Sequence, residues 1–305
     1  MQELVDAFVA RAREEDLYIM YCQIRKGGEV VGDWSRFSVR SRLESFSLSK
    51  TFCAVGVGMA IEEGLLRLDE KVAASFPELT YDINNPFALD LTVEHLLTMS
   101  SGLEEPLFFR DHPERAAVRD WGRHFYEKGK FVRKPGESFL YSNFNTYMLG
   151  RLIEKKYGKN LHEYLRFRLF EPLGIGNPDM TTCPLGHTVA ANGMAINIDE
   201  LGKFGQMLQG KGVYNGKRLV SQSFVEKMLS RQITSDRESP LGDCRFGYGY
   251  QTWVDPVRKA CFLWGIFGQY SVIFPEKNVI VTVQGREEND AAVAKRLWAD
   301  ILVKV

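Results

Sequence analysis

An excess of charge of one sign is what this sequence most plainly lacks: lysine plus arginine and aspartate plus glutamate each number 39. With the signs balanced and no basic run, the chain offers no electrostatic footprint to a nucleic acid or an anionic membrane surface. Cysteine is scarce as well. The five (Cys22, Cys53, Cys183, Cys244, Cys261) are odd in number, scattered and without a C-x-x-C pair. That argues against a disulfide framework and a zinc site, and fits reduced thiols in a cytoplasmic protein. His95, His112, His124, His162 and His187 have no metal-ligand spacing, so they read as surface or packing residues, with His95 belonging to its helix. No stretch approaches the roughly 18 uninterrupted apolar residues of a membrane span. The segment Met1–Arg11 has helical apolar spacing with acids mixed in, not the basic start and apolar core of a signal peptide, so no export is expected. Internal repeats, low-complexity tracts and flexible linkers are absent too. At 305 residues the chain can bury a large core, in one big domain or two intertwined ones.

What is present centres on Ser45–Gly64. Polar residues occupy its first turn, its middle is apolar on every face and Gly64 supplies a stop, which is the pattern of a helix buried all round. Ser47 and Lys50 stand three apart, so a helix puts the hydroxyl and the amine on one face, and a base beside a hydroxyl makes a nucleophile. Unpaired N–H groups in the first turn would stabilise negative charge developing there.

Before this helix, residues 17–24 and 29–34 flank Lys26-Gly27-Gly28 as a β-hairpin. After it the periodicity is mostly helical as far as Gly242, with helices expected at 92–98, 143–157, 199–208 and 221–229. Period-two alternation then predicts strands at 246–254, 260–264, 270–274 and 279–284. A final helix carries Val293, Leu297, Trp298, Ile301 and Leu302 on one face. Strands at both ends and helices between imply an α+β fold, an antiparallel sheet flanked by helices with an inserted all-helical subdomain. The expected division is 1–67 with 243–305 against 68–242.

Ser47-x-x-Lys50 is the only S-x-x-K in the chain, and Tyr141-Ser142-Asn143 the only Y-x-N. Alone, the latter reads as a helix cap. A third element, Leu263-Trp264-Gly265-Ile266-Phe267-Gly268, breaks a strand with glycines where another backbone or a ligand can approach closely. Two other patterns are discounted. Gly205–Lys211 begins like a phosphate loop, but Gly212 stands where Ser or Thr is needed, and no G-x-S-x-G is present.

In the order and context of these motifs, together with Gly64–Asp69, Leu91–Leu103, Pro135–Asn143 and Leu169–Ile175, the sequence resembles the serine β-lactamase and penicillin-binding-protein superfamily. The likeness is to its class C β-lactamase-like branch, with carboxylesterases and the 6-aminohexanoate-dimer hydrolase, and covers nearly the whole chain. The resemblance implies Ser47 as acylated nucleophile, Lys50 as its proton partner, Tyr141 as the second motif's base and Asn143 lining the pocket. Lys50 and Tyr141 are expected to titrate as a coupled pair, the ammonium lowering the phenol. It aligns Leu263-Trp264-Gly265 with the usual Lys-Thr-Gly or His-Thr-Gly, only the glycine being kept. An oxyanion hole from the N–H groups of Ser47 and Ile266 follows, with Trp264, Gly265 and Ile266 at the substrate.

The function expected is a cytoplasmic serine hydrolase of a small ester or amide, without metal or organic cofactor. The runner-up is a true β-lactamase or D,D-peptidase. A non-hydrolytic ligand sensor is a reading from another class. With no charge at the third motif, short-chain aryl esters are expected to be better substrates than penicillins.

Overall fold

Strands from near both ends of the chain pair into one eight-stranded antiparallel sheet. The computed structural model describes residues 1–107 and 114–305, and His112 lies outside them. Helix α1 (Gln2–Glu14) leads into β1 (Ile19–Lys26) and β2 (Glu29–Ser35), and α2 (Ser49–Glu62) follows. The long middle contains α3 (Val93–Leu97), α4 (Asn143–Tyr157) and α5 (Ile198–Gln209) among shorter helices. Then come β3 (Ile233–Glu238), β4 (Arg245–Tyr248), β5 (Trp253–Asp255), β6 (Ala260–Gly265), β7 (Gln269–Phe274), β8 (Val279–Gly285) and α6 (Asp290–Leu297). Their spatial order is β2-β1-β8-β7-β6-β5-β4-β3. The β1–β8 ladder, with Cys22 opposite Val283, joins the N-terminal hairpin to the C-terminal strands, as the sequence implied.

Alternate residues of the strands feed two separate cores. Phe262 and Val272 join Phe8 of α1 and Trp298 after α6 on one face. Leu263, Ile273 and Ile280 face the other way, into the core that holds Phe52 and Val55 of α2. Covered on both sides, β7 and β8 are buried along their whole length. Helix α2 is buried from Ser49 to Ala60, as expected for a helix apolar all round. A neighbouring helix comes so close that a Cβ on Gly58 would lie 2.5 Å from the Phe224 ring. Gly64, at φ +73°, ends the run.

Two features differ from the sequence reading. The expected strand 246–254 is two strands, because the chain turns a corner at Gly249–Thr252, where Gly249 N–H donates to Thr252 O at 2.8 Å. Gln251, at φ +54°, is fixed there by donating its side-chain amide to Leu96 O at 2.9 Å and Leu97 O at 3.0 Å. Its Oε1 accepts from Thr146 Oγ1 at 2.6 Å. These partners are far away in sequence, which is why the corner leaves no local signature. The stretch read as helical also contains β3, an edge strand of the main sheet whose polar sequence Ile-Thr-Ser-Asp-Arg-Glu carries no alternating apolar signal. No helix among the described residues is long and apolar enough to cross a membrane.

Candidate active site

Ser47 sits in a short 3₁₀ turn, Phe46–Leu48, that runs directly into α2. Its neighbours hold the turn. Ser45 Oγ donates to Met194 O at 2.8 Å, and Ser49 Oγ to Phe46 O at 2.6 Å. Those two serines are spent on the backbone, while Ser47 lines a cavity of about 340 Å³.

Lys50, one helical turn on, is 1% exposed. Its nitrogen lies 2.9 Å from Ser47 Oγ and donates to Asn143 Oδ1 at 2.8 Å and Ala191 O at 2.8 Å. Burial, with the Arg115 cation adding to it, holds the amine well below the ordinary lysine range. Tyr141 and Asn143 reach the same point from the start of α4. Between them Ser142 caps that helix, accepting from Phe144 N–H at 3.3 Å. The helix-cap reading of Tyr-Ser-Asn therefore holds for its middle residue, while the outer two face the serine.

Tyr141 hydrogen-bonds Ser47 through its hydroxyl, and its ring centroid lies 5.0 Å from Lys50 Nζ. The expected lowering of its pKa is overturned. Burial drives the phenol up, and the smaller opposing pulls of the Ser47 hydrogen bond and the Arg237 cation do not offset it. The ammonium meets the ring face, not the oxygen.

The end of β6 closes the cavity. A Cβ on Gly265 would fall 2.2 Å from Ser45 O, so only glycine lets this strand approach the nucleophile turn backbone to backbone. Trp264 and Ile266 line the cavity, whereas Leu263 is 1% exposed on the opposite face of the strand, in the α2 core. A side chain at 263 therefore does not face the site as the alignment with a family lysine suggested. The Trp264 indole N–H is taken: it donates to Asp290 Oδ2 at 2.9 Å, beside Tyr270 OH at 3.0 Å. Gly268 N–H donates to Asp290 Oδ1 at 2.8 Å, and burial still raises this carboxyl above its usual value.

All the residues picked out from the sequence thus gather here, with Gly265 behind the wall. Several lining residues had no sequence signal. Trp253 stacks on Tyr141 with ring centroids 5.6 Å apart, and Arg115, on the short helix Glu114–Ala117, donates to Asn192 Oδ1 at 2.9 Å. Glu44, Phe46 and, from β3, Arg237 complete the lining. The cavity therefore carries charged side chains although its third motif has none.

A family model described as Beta-lactamase matches residues 2–303. A 6-aminohexanoate-dimer hydrolase from Paenarthrobacter ureafaciens is 26% identical over 299 residues, 92% of this chain and 76% of that protein. A lovastatin esterase from Penicillium rubens is 26% identical over 225 residues, 62% of this chain and only 54% of the relative. Among solved structures, an octameric penicillin-binding protein homologue from Pyrococcus abyssi superposes with a TM-score of 0.79 at 24% identity, over 99% of this chain and 77% of the other. At that identity the likeness speaks for the fold.

Proposed function

The chain belongs to the β-lactamase family, with hydrolases among its homologues, and from that premise we propose that it is a serine hydrolase acting through an acyl-enzyme on Ser47. Its substrate is a small ester or amide. The observation that carries this reading is the buried amine of Lys50, 2.9 Å from the Ser47 hydroxyl and depressed in pKa.

A neutral amine has two hydrogens and one lone pair. With those hydrogens held by Asn143 Oδ1 and Ala191 O, the lone pair is left pointing at Ser47 Oγ. Lys50 then takes the serine proton as the oxygen bonds to the substrate carbonyl carbon. The raised phenol of Tyr141 stays protonated and serves as a donor toward the serine oxygen or the leaving group. Base and donor are thus divided between the two residues, where the sequence left them as one coupled pair.

The negative charge on the carbonyl oxygen falls to the N–H groups of Ser47 and Ile266, two residues that both line the cavity. The leaving group departs with the proton that Lys50 took from Ser47, passed to it directly or relayed through the Tyr141 hydroxyl, so that Lys50 is neutral again and Tyr141 remains protonated. Water then attacks the ester carbon, its proton returns through Lys50, and Ser47 is regenerated. The test is labelling by a fluorophosphonate probe: one modified serine in the wild type, none in Ser47→Ala. Labelling that persists in that variant places the nucleophile elsewhere.

A further inference from the structure

The two oxygens that accept from the Lys50 nitrogen belong to segments far apart in sequence, and one helix governs both. Asn143 Oδ1 comes from the first turn of α4. Ala191 O lies on a narrow antiparallel ribbon between residues 180 and 194. In that ribbon Thr181 N–H donates to Gly193 O at 3.0 Å, Val189 N–H to Thr181 O at 2.9 Å and Cys183 N–H to His187 O at 2.8 Å. The ribbon also reaches the nucleophile turn, since Met194 O accepts from both the backbone N–H and the hydroxyl of Ser45. Toward the far end of α4, Glu154 takes hold of it. Glu154 Oε1 accepts from Thr188 N–H at 2.9 Å, and Oε2 lies 2.8 Å from His187 Nδ1.

Between that anchor and the active site the ribbon is strained. Ala190 stands at φ +60°, a conformation that a residue with a Cβ keeps only where its surroundings over-determine it. On one side α4 presses against it: a Cβ on Gly150 would lie 3.0 Å from the Ala190 Cβ. On the other, Glu154 fixes the backbone at Thr188. Ala191, next after the strained residue, carries the carbonyl that meets Lys50 at 2.8 Å.

Glu154 is 8% exposed, with Arg151 Nε 3.9 Å from its Oε2. Burial alone would raise its carboxyl, but the hydrogen bonds from His187, Thr188 and Leu161 outweigh it and hold the pKa below the ordinary value. Satisfying the first N–H of the short helix that starts at Leu161 accounts for one of these bonds, at 3.1 Å. It does not account for the bond to Thr188, which ties α4 to backbone 34 residues on.

We propose that Glu154 is a positioning residue for the base: by holding Thr188 it fixes the bend at Ala190 and so keeps the Ala191 carbonyl on the Lys50 nitrogen. The inference rests on the reading of Lys50 as the group that takes the Ser47 proton. In that step the amine becomes an ammonium, so its bond to Ala191 O strengthens as charge develops, and losing the bond acts on rate more than on substrate binding.

The experiment measures hydrolysis of an aryl acetate and the rate of fluorophosphonate labelling in the wild type, Glu154→Ala, Glu154→Asp, Glu154→Gln, Lys50→Ala and the double variant Lys50→Ala with Glu154→Ala, with circular dichroism on each. Glu154→Ala lowers kcat about ten- to a hundredfold, the size of a lost hydrogen bond to a charged group, with KM nearly unchanged. Glu154→Asp keeps the charge but is too short to reach the ribbon, so it falls likewise, and it stands in for the alanine variant if that one does not fold. Glu154→Gln keeps a carbonyl oxygen for the two N–H groups and recovers most of the rate. In the Lys50→Ala background, removing Glu154 slows labelling no further, because its effect passes through the amine. The same factor in both backgrounds marks a structural role and overturns the proposal, as does a wild-type kcat in Glu154→Ala or Glu154→Asp.

An NMR titration of the Lys50 side chain, read at its Cε and assigned by its absence from Lys50→Ala, needs no turnover. Its midpoint moves in Glu154→Ala and Glu154→Asp and stays in place in Glu154→Gln. A midpoint unmoved in all three overturns the proposal whatever the kinetics. Lys50→Ala labelled as fast as the wild type removes Lys50 as the base, while the titration still reports whether Glu154 positions its partner, so the two failures are told apart.

Discussion

Lys50 and Arg237 are two basic side chains at one cavity, the first against Ser47 and the second in the wall, and their surroundings differ in nearly every respect. Lys50 is buried on a helix inside the core, with three protein oxygens within 2.9 Å. Arg237 is exposed on an edge strand and has no carboxylate partner among the described residues. Burial disfavours the charge of the first, which suits it to the role of base proposed above. Exposure leaves the second guanidinium available to a ligand. The inner corner is therefore suited to chemistry and the rim to selection, and substitutions in the two should separate as losses of rate and losses of discrimination.

The largest effect belongs to the inner corner. Ser47→Ala should lower ester hydrolysis at least about a thousandfold, and Lys50→Ala by a comparable factor, because a nucleophile and its base act as one unit. The double variant should be little worse than either single one. Losses that multiply in the double variant would mean the two act independently, and the comparison with Arg237 would lose its inner half. Circular dichroism of Ser47→Ala should match the wild type, since the serine is not a core residue.

The next effect is pH dependence, and its sign follows from the direction of the Lys50 shift. The amine is active when neutral and its pKa lies below the ordinary lysine value, so kcat/KM should rise about tenfold per pH unit on the acid limb and level off short of pH ~10. Tyr141, pushed the other way by burial, should contribute no limb in that interval. The same shift acts on stability. Between the folded and unfolded pKa values of Lys50 the unfolded chain binds the extra proton, so stability should increase with pH across that window. An acid limb centred at the value of free lysine would indicate that Lys50 is not the base.

Gly265→Ala tests the seam between the two regions. The added methyl would sit 2.2 Å from Ser45 O, a backbone atom that cannot swing aside as a side chain can. Either β6 or the nucleophile turn must shift, at a stability cost of about 1–3 kcal/mol. A displacement near the reacting serine should also lower kcat/KM, by up to about a hundredfold. Thermal unfolding and ester kinetics on one preparation measure both, and a variant unchanged in each would mean the strand end and the turn are not rigidly coupled.

How much of this could be read from the sequence divides along the same line. Helix α2, its glycine stop, the hairpin and the Tyr-Ser-Asn start of α4 depend on neighbours within a few positions, and those were legible. So was the gathering of Ser47, Lys50, Tyr141 and Asn143, once the motifs were taken together. The direction of the Tyr141 shift was not, because it depends on how much protein surrounds the phenol, which spacing does not encode. Nor were Arg237 and Arg115. Each lies in a stretch without periodicity and reaches the cavity only through the folding of elements distant in sequence. Gln251 belongs with them, since its corner is held by Leu96, Leu97 and Thr146.

The smallest effect is expected at Trp264, which belongs to the rim by position but is tied to the sheet behind it. Its indole N–H donates to Asp290, which also accepts from Tyr270 OH and the Gly268 N–H. Trp264→Phe keeps an aromatic face on the cavity wall, where Trp253 and Tyr270 pack on the ring with centroids 5.6 and 6.2 Å away. It removes one of three donors to a half-buried carboxyl. A hydrogen bond to a charged group contributes about 1.5–3 kcal/mol, but the two remaining donors should hold the loss near the lower end. Asp290 is already raised in pKa by burial, and with one stabilising donor gone it should rise further. The variant should then lose stability as pH rises past the ordinary carboxylate range, since a group with an elevated folded pKa binds a proton more readily in the folded state. Chemical denaturation of wild type and variant at pH 5 and pH 8 measures this, and the difference between them should be larger at pH 8. An equal difference at both values would mean that Asp290 does not feel the indole, and that Trp264 serves the cavity through its ring alone.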